Sequence, residues 1–308
     1  MSQTRPRRAR RVQLSTPGSS EKMMAKAAAS AADHVFLDLE DAVAPSQKVA
    51  ARGKIVEALN SLDWGGKVRC VRINDLSTEY AYEDIIEIVE GAGANLDTIM
   101  MTKVTSAADI LFADRLLGMM EKKLKLPRRI GLEALIEEVE GMQNVDAIAK
   151  STDRLECLVF GMGDFSASMG ISLDAAIGSD GGSGYPGDMW HYARFRLVMA
   201  CRAAGLDPVD GPYADFRNED GYREECRRAS TLGMVGKWAI HPSQIGISRD
   251  VFSPDPVRVA SARHLVRAYA EAEAAGSGSI NVDGVMVDVA TVRLLRNGIL
   301  RNAELYGM

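Results

Sequence analysis

The chain has little of what redox, metal-thiolate and membrane proteins depend on. Its 308 residues include four cysteines and four histidines. Cys70, Cys157, Cys201 and Cys226 lie far apart with no C-x-x-C pair, which argues against a thiolate zinc site or a disulfide framework. With so few histidines and no nucleophile motif, a Ser-His-Asp triad has no support. No apolar run approaches the roughly 18–20 residues that span a bilayer. A net charge of −5 argues against nucleic-acid or membrane-surface partners and fits a cytoplasmic enzyme.

Basic charge is concentrated in the first residues: Arg5, Arg7, Arg8, Arg10 and Arg11. The apolar stretch behind them is too short for a secretory signal. Two readings stand: residues 1–11 form a flexible basic arm, or its last arginines bind an anionic ligand near the first strand.

Short β-branched runs then alternate with amphipathic stretches, the pattern of parallel βα units. Strands are expected at residues 12–14, 34–39, 67–73, 97–103, 130–136, 155–161, 206–210 and 236–239. Helices are expected after Ser19 or Ser20, over 47–62 and over 79–90. Eight such units close a (β/α)₈ TIM barrel, with every strand's carboxyl end at one mouth. The barrel is assigned to residues 1–253. Residues 178–188, rich in Gly, Ser and Asp, read as a surface loop. Residues 254–308, with a hairpin near 280–287, read as a carboxy-terminal helical lid or arm.

Polar residues fall where barrel active sites lie. Glu40, Asp41, Arg72, Lys103, Glu137 and Asp164 all end expected strands. Carboxylates without His or Cys neighbours suit a hard, oxygen-preferring cation such as Mg²⁺. Arg72 offers a fixed fork of donors for a carboxylate or enolate oxygen. Metal plus arginine is what a reaction through an enolate requires. Bland readings compete at several positions. Asp41, Asp174 and Asp207 fit helix caps, Lys103 fits a structural ion pair, and His241 fits either a general base or a helix-entry histidine.

Several motifs carry a family likeness. Ser15-Thr16-Pro17-Gly18 with Lys22, then Phe36-Leu37-Asp38-Leu39-Glu40-Asp41-Ala42-Val43-Ala44-Pro45 with Lys48 and Ala51-Arg52, resembles the citrate lyase β-subunit-like family of the HpcH/HpaI aldolase superfamily. The likeness continues through Val71-Arg72-Ile73-Asn74, Leu135-Ile136-Glu137, Phe160-Gly161-Met162-Gly163-Asp164-Phe165 and Gly236-Lys237-Trp238-Ala239-Ile240-His241-Pro242-Ser243-Gln244. It spans residues 12–300. Leu59-Asn60-Ser61-Leu62-Asp63-Trp64-Gly65, Asp188-Met189-Trp190 and Asp210-Gly211-Pro212-Tyr213 are most similar to the malyl-CoA lyases within it.

The resemblance implies reversible, Mg²⁺-dependent cleavage of (S)-malyl-CoA to acetyl-CoA and glyoxylate, with Mn²⁺ able to replace Mg²⁺. β-Methylmalyl-CoA and citramalyl-CoA are related substrates, and a malyl-CoA thioesterase is the alternative. Glu137 and Asp164 match the metal ligands. Arg72 matches the arginine facing the thioester carbonyl, and Glu40 and Asp41 the acidic pair at the mouth. Lys22, Arg11 and Gly163 are candidates for substrate binding, the first two through coenzyme A phosphates. Asp288 matches an acid/base on an arm that reaches a neighbouring subunit's site, implying a homotrimer or a homohexamer. One departure concerns position 102, where Thr102 replaces the family's proline before Lys103.

Overall fold

The computed structural model describes residues 5–171 and 187–308. The chain divides into two compact units. One comprises Arg10–Val251 with Arg5 and Pro6, the other Phe252–Met308 with Arg7–Ala9. The loop expected at 178–188 and Asp174 fall largely or wholly outside the described residues.

In the first unit eight parallel strands close a barrel, each paired to the next and the last to the first. They are β1 (Val12–Pro17), β2 (His34–Asp38), β3 (Val68–Arg72), β4 (Thr98–Met101), β5 (Gly131–Ile136), β6 (Leu155–Phe160), β7 (Asp207–Asp210) and β8 (Gly236–Ala239). This is a (β/α)₈ TIM barrel. Helices α1 (Glu21–Ala29), α2 (Lys48–Ser61), α3 (Ala81–Ala92) and α4 (Ala107–Leu124) follow the first four strands. Ser20 caps α1, its hydroxyl accepting the Met23 N–H. Two strand boundaries depart from expectation by more than one residue, for local reasons. β1 extends to Pro17 because Ser15, Thr16 and Pro17 continue the ladder beside Phe36, Leu37 and Asp38. β4 stops at Met101 because Lys103 takes a left-handed φ of 48°.

Strand alternation fills the interior in layers. Phe36, Cys70, Met100, Leu135, Cys157, Val159, Val209 and Trp238 pack as one cluster drawn from seven strands, so their side chains point inward. Two residues earlier on the strands lies a polar layer. There Glu133 accepts hydrogen bonds from His34 Nε2 (3.0 Å), Thr98 Oγ1 (3.1 Å) and Gln13 Nε2 (3.1 Å). Two residues later lie Asp38, Arg72 and Glu137. The same parity that sends apolar groups into the core thus delivers a polar set to the mouth.

His34, Cys70 and Glu133 lie close enough to hold a metal ion, yet they form a pin rather than a centre. Glu133's oxygens are already engaged, and Arg10 adds its positive charge 3.3 Å away. Arg10 also meets Glu156 at 2.8 Å and Asp207 at 3.0 Å. The interaction with His34, then that with Arg10 and the hydrogen bond from Thr98, hold Glu133 well below the usual carboxylate range despite its burial. Gly236 is obligatory beside this plug, because a Cβ there would lie 1.7 Å from the Arg10 carbonyl oxygen.

The expected basic arm is therefore corrected for residues 5–11. Arg10 is buried at the barrel's amino end, and Arg5 donates to the carbonyls of Ala204 and Thr152.

In the second unit a long helix, Pro256–Ala274, begins with Asp255 as cap and proline in its first turn. Antiparallel β9 (Ser279–Val282) and β10 (Val285–Asp288) follow, joined by Asp283 and Gly284 at φ of 51° and 81°. An Asp-Gly pair with both φ positive matches the right-handed twist of a tight hairpin. Tyr269, Val287 and Val292 form this unit's small core with Leu265, Val266, Ile280 and Val282. Among the described residues no helix is long and apolar enough to cross a membrane.

Candidate active site

The mouth is organised around Arg72, the last residue of β3. Its register neighbour on β2 is Asp38. Asp38 accepts from Arg72 Nε at 2.7 Å and Nη2 at 2.6 Å, a bidentate pair with both partners buried. Burial works against the Asp38 charge, but Arg72 and the N–H groups of Glu40 and Ala42 outweigh it and lower its pKa. The arginine's remaining nitrogen, Nη1, lies 3.0 Å from Glu40 Oε2 and 3.8 Å from Asp41 Oδ2. Its plane rests over Phe36 and Trp238, with centroids 5.8 and 5.6 Å away. The fork expected to meet substrate is thus mostly committed to Asp38, and Nη1 is the part that reaches the Glu40 side of the mouth.

Glu40 bridges two cations. Its Oε1 lies 2.5 Å from Lys103 Nζ while Oε2 faces Arg72. Burial nonetheless outweighs both and pushes its pKa up. Asp41 is largely exposed beside it. Lys103 also lies 3.8 Å from Asp164 Oδ2, and its left-handed backbone turns its own N–H to Glu137 Oε1 at 2.9 Å. Thr102, standing where proline was expected, donates its hydroxyl to the Ile73 carbonyl at 3.3 Å. The placement of Lys103 is therefore held by hydrogen bonds rather than by a ring.

Glu137 follows β5 and is 3 % exposed. Among the described residues no cationic side chain pairs with it within 4 Å. Burial, and then the charge of Asp164, push its pKa up to about 8 against the single Lys103 N–H and more distant cations. Asp164 sits in the first turn of a short helix, Met162–Ser168 (α5), and is half exposed. Gly161, just before that helix, leaves the space that Glu137 occupies. A Cβ there would lie 2.6 Å from Glu137 Cβ and 2.7 Å from Oε2. A buried carboxylate lacking a counter-cation, an oxygen-only donor set and a cradle kept clear by glycine fit a hard divalent cation held by Glu137 and Asp164. Five carboxyl groups, those of Asp38, Glu40, Asp41, Glu137 and Asp164, gather around Arg72 and Lys103.

Other candidates fall as follows. Lys22 is exposed on the first turn of α1, which follows the carboxyl end of β1. Gly163 faces open space in α5. Arg11 is corrected as a coenzyme A contact. It precedes β1, so it lies at the amino ends of the parallel strands, and its guanidinium is bound to Asp33 at 2.8 and 2.7 Å. Asp288 belongs to the second unit. It caps the helix Val289–Leu295, accepting the Thr291 N–H at 2.8 Å and hydroxyl at 2.9 Å, bonds that lower its pKa. His241 stacks on Phe216, and its Nδ1 lies 2.9 Å from Ser243 Oγ. Asp210 is buried between Arg194 and Lys237. Sequence reasoning missed Asp38 and Asn74 as parts of the site. For Asp38 the inward parity shared with His34 and Phe36 was an available signal.

A closed barrel whose carboxyl-end mouth joins Glu137 and Asp164 to a fixed arginine and lysine carries its charged groups where barrel enzymes have their active sites. Residues 11–242 match the HpcH/HpaI aldolase/citrate lyase family, and the chain belongs to that family. An L-malyl-CoA/β-methylmalyl-CoA lyase of Cereibacter sphaeroides is 42% identical over 97% of this chain and 96% of that protein. A (3S)-malyl-CoA thioesterase of the same organism is 34% identical over 89% of this chain and 88% of its own. Protein CitE from Mycobacterium tuberculosis, in complex with magnesium, acetoacetate and coenzyme A, superposes with a TM-score of 0.73 at 29% identity, covering 95% of this chain and 97% of that one.

Proposed function

We propose that this chain cleaves (S)-malyl-CoA reversibly to acetyl-CoA and glyoxylate, with β-methylmalyl-CoA and citramalyl-CoA as related substrates. The observation that carries the reading is Glu137, a buried carboxylate that has no cationic side chain within 4 Å among the described residues. The lyase of Cereibacter sphaeroides supports the choice of thioester.

Glu137 and Asp164 would hold Mg²⁺, for which Mn²⁺ can substitute because it takes the same oxygen ligands. When bound, the ion supplies Lewis-acid charge stabilisation to the oxygens of an oxo or hydroxy acid. The residues of the chain do the rest. Lys103 and Arg72 Nη1 offer fixed positive charge to the oxygen that becomes an enolate. Glu40, whose pKa is raised by burial, is suited to take the substrate hydroxyl proton as the carbon–carbon bond breaks. Lys22 and Gly163 accommodate the coenzyme A thioester at the rim. Asp288, arriving on the second unit of a neighbouring subunit in a homotrimer or homohexamer, returns a proton to the methyl carbon of acetyl-CoA. Residues 254–308 act in this reading as the lid over that subunit's mouth.

The 34% identical thioesterase supports a second reading, hydrolysis to malate and free coenzyme A. Incubation with (S)-malyl-CoA and Mg²⁺, with glyoxylate trapped as a hydrazone and thiol titrated in parallel, separates them. Glyoxylate without thiol is expected. Thiol without glyoxylate refutes the lyase.

A further inference from the structure

Among the described residues Lys48, the first residue of α2, forms no ion pair with the mouth carboxylates, yet it is bonded to the loop that carries Glu40. Its ammonium donates to the carbonyls of Leu39 at 2.9 Å and Glu40 at 2.8 Å, and to Asn74 Oδ1 at 2.5 Å. Three donors meet three acceptors, so the group is saturated. Those two carbonyls belong to the peptide planes on either side of the Glu40 α-carbon. Fixing both fixes the backbone torsions of that one residue. Asp38 grips the same loop from its other edge through the N–H groups of Glu40 and Ala42, each at 2.9 Å.

The anchor is itself fixed. Asn74 follows the strand of Arg72, and its N–H and Nδ2 donate to Asp84 Oδ2 at 3.0 and 2.7 Å. Asp84 accepts Arg52 Nε at 2.7 Å, and all three residues are buried. Arg52 is held in turn by Glu83 and Glu87, each at 2.8 Å. A continuous polar chain therefore runs from α3 through the end of β3 to the Glu40 backbone.

We propose that Lys48, anchored on Asn74, is the positioning residue that aims the Glu40 carboxylate at Arg72 and Lys103. Its influence on turnover passes through Glu40 and nothing else in the mouth. The inference rests on the reading of Glu40 as a reacting group and deepens it.

The test is a cycle of Lys48→Met, Glu40→Gln and the double variant, with Lys48→Arg as the conservative control. Steady-state glyoxylate release from (S)-malyl-CoA at saturating Mg²⁺ gives kcat and KM, and thermal midpoints report folding. Lys48→Met is expected to lower kcat about 10²-fold, the cost of a misplaced group of this kind, with KM changed less than about threefold. Lys48→Arg should recover at least about a tenth of the wild-type kcat, since it restores donors to the same carbonyls. In the Glu40→Gln background Lys48→Met should cost less than about threefold more. A second loss of about 10²-fold there, or an unaltered kcat in Lys48→Met alone, overturns the proposal. If Lys48→Met does not fold, Asn74→Ser replaces it, because that variant loosens the anchor and keeps the ammonium. Should the wild type release no glyoxylate, the functional reading fails, and the crystal structure of the Lys48 variant decides the positioning. Displacement of Glu40 Oε2 from its 3.0 Å contact with Arg72 supports it, and an unmoved carboxylate refutes it.

Discussion

Replacing Glu137 with glutamine should stabilise the metal-free protein while abolishing its response to Mg²⁺. The glutamine keeps shape and the acceptor for the Lys103 N–H, and removes the charge. In the folded protein burial raises the Glu137 pKa from 4.5 to about 8. A carboxyl with a raised pKa leaves stability intact below 4.5, and stability then falls as pH climbs to about 8. Near pH 7 the accumulated penalty is roughly 3 kcal/mol, and it levels off near 5 kcal/mol above pH 8. Glu137→Gln escapes that penalty. In chelator its melting midpoint should exceed the wild type's by about 5 °C at pH 7.5, with the gap closing toward pH 5. Mg²⁺ at 100 times its Kd should return about 2.7 kcal/mol to the wild type and none to the variant. Differential scanning calorimetry at pH 5, 6.5 and 7.5, with chelator or Mg²⁺, reads both effects. A variant no more stable than wild type at pH 7.5, or one that keeps the Mg²⁺ increment, refutes the assignment of a buried metal-ligating carboxylate.

Three further outcomes follow from named contacts. Asp288→Asn should leave the melting midpoint nearly unchanged, because asparagine caps a helix as well as aspartate. It should nonetheless suppress solvent-deuterium exchange into the acetyl-CoA methyl group, and undiminished exchange by NMR would remove Asp288 from the chemistry. Gly161→Ala would push a Cβ into the Glu137 carboxyl, 2.6 Å from its Cβ. The overpacking should cost about 1–3 kcal/mol, and calorimetric titration should show weakened Mg²⁺ binding. Arg72→Lys keeps the charge but loses the fork on Asp38, so kcat should fall on the order of 10²–10³-fold without rescue by the lysine.

What could be read from the sequence follows the physics of each position. Strands β2, β4, β5 and β6 were legible because strands covered on both faces leave short, mostly apolar runs. Glu40, Arg72, Lys103, Glu137 and Asp164 were legible as a set because parallel strands bring their carboxyl ends to one rim. Asp38 escaped notice because it ends an apolar run, and its role appears only when its register partner is known to be Arg72. The left-handed turn at Lys103 was hidden because tertiary contacts to Glu40 and Glu137 hold it. Arg11 was misplaced because closeness to a strand in sequence does not say which end of the barrel a residue occupies. Asp288 precedes a helix, so capping and proton transfer leave the same signature in the chain.

The central claim is that the Glu137–Asp164 mouth cleaves a carbon–carbon bond with a divalent cation. It is tested most directly by incubating the purified protein with (S)-malyl-CoA and following glyoxylate, with Mg²⁺ present and after chelation. Glyoxylate and acetyl-CoA in equal amounts, formed only with Mg²⁺ and lost in Glu137→Gln, is the predicted result. Glyoxylate release that survives chelation, or thiol release with no glyoxylate, would contradict it.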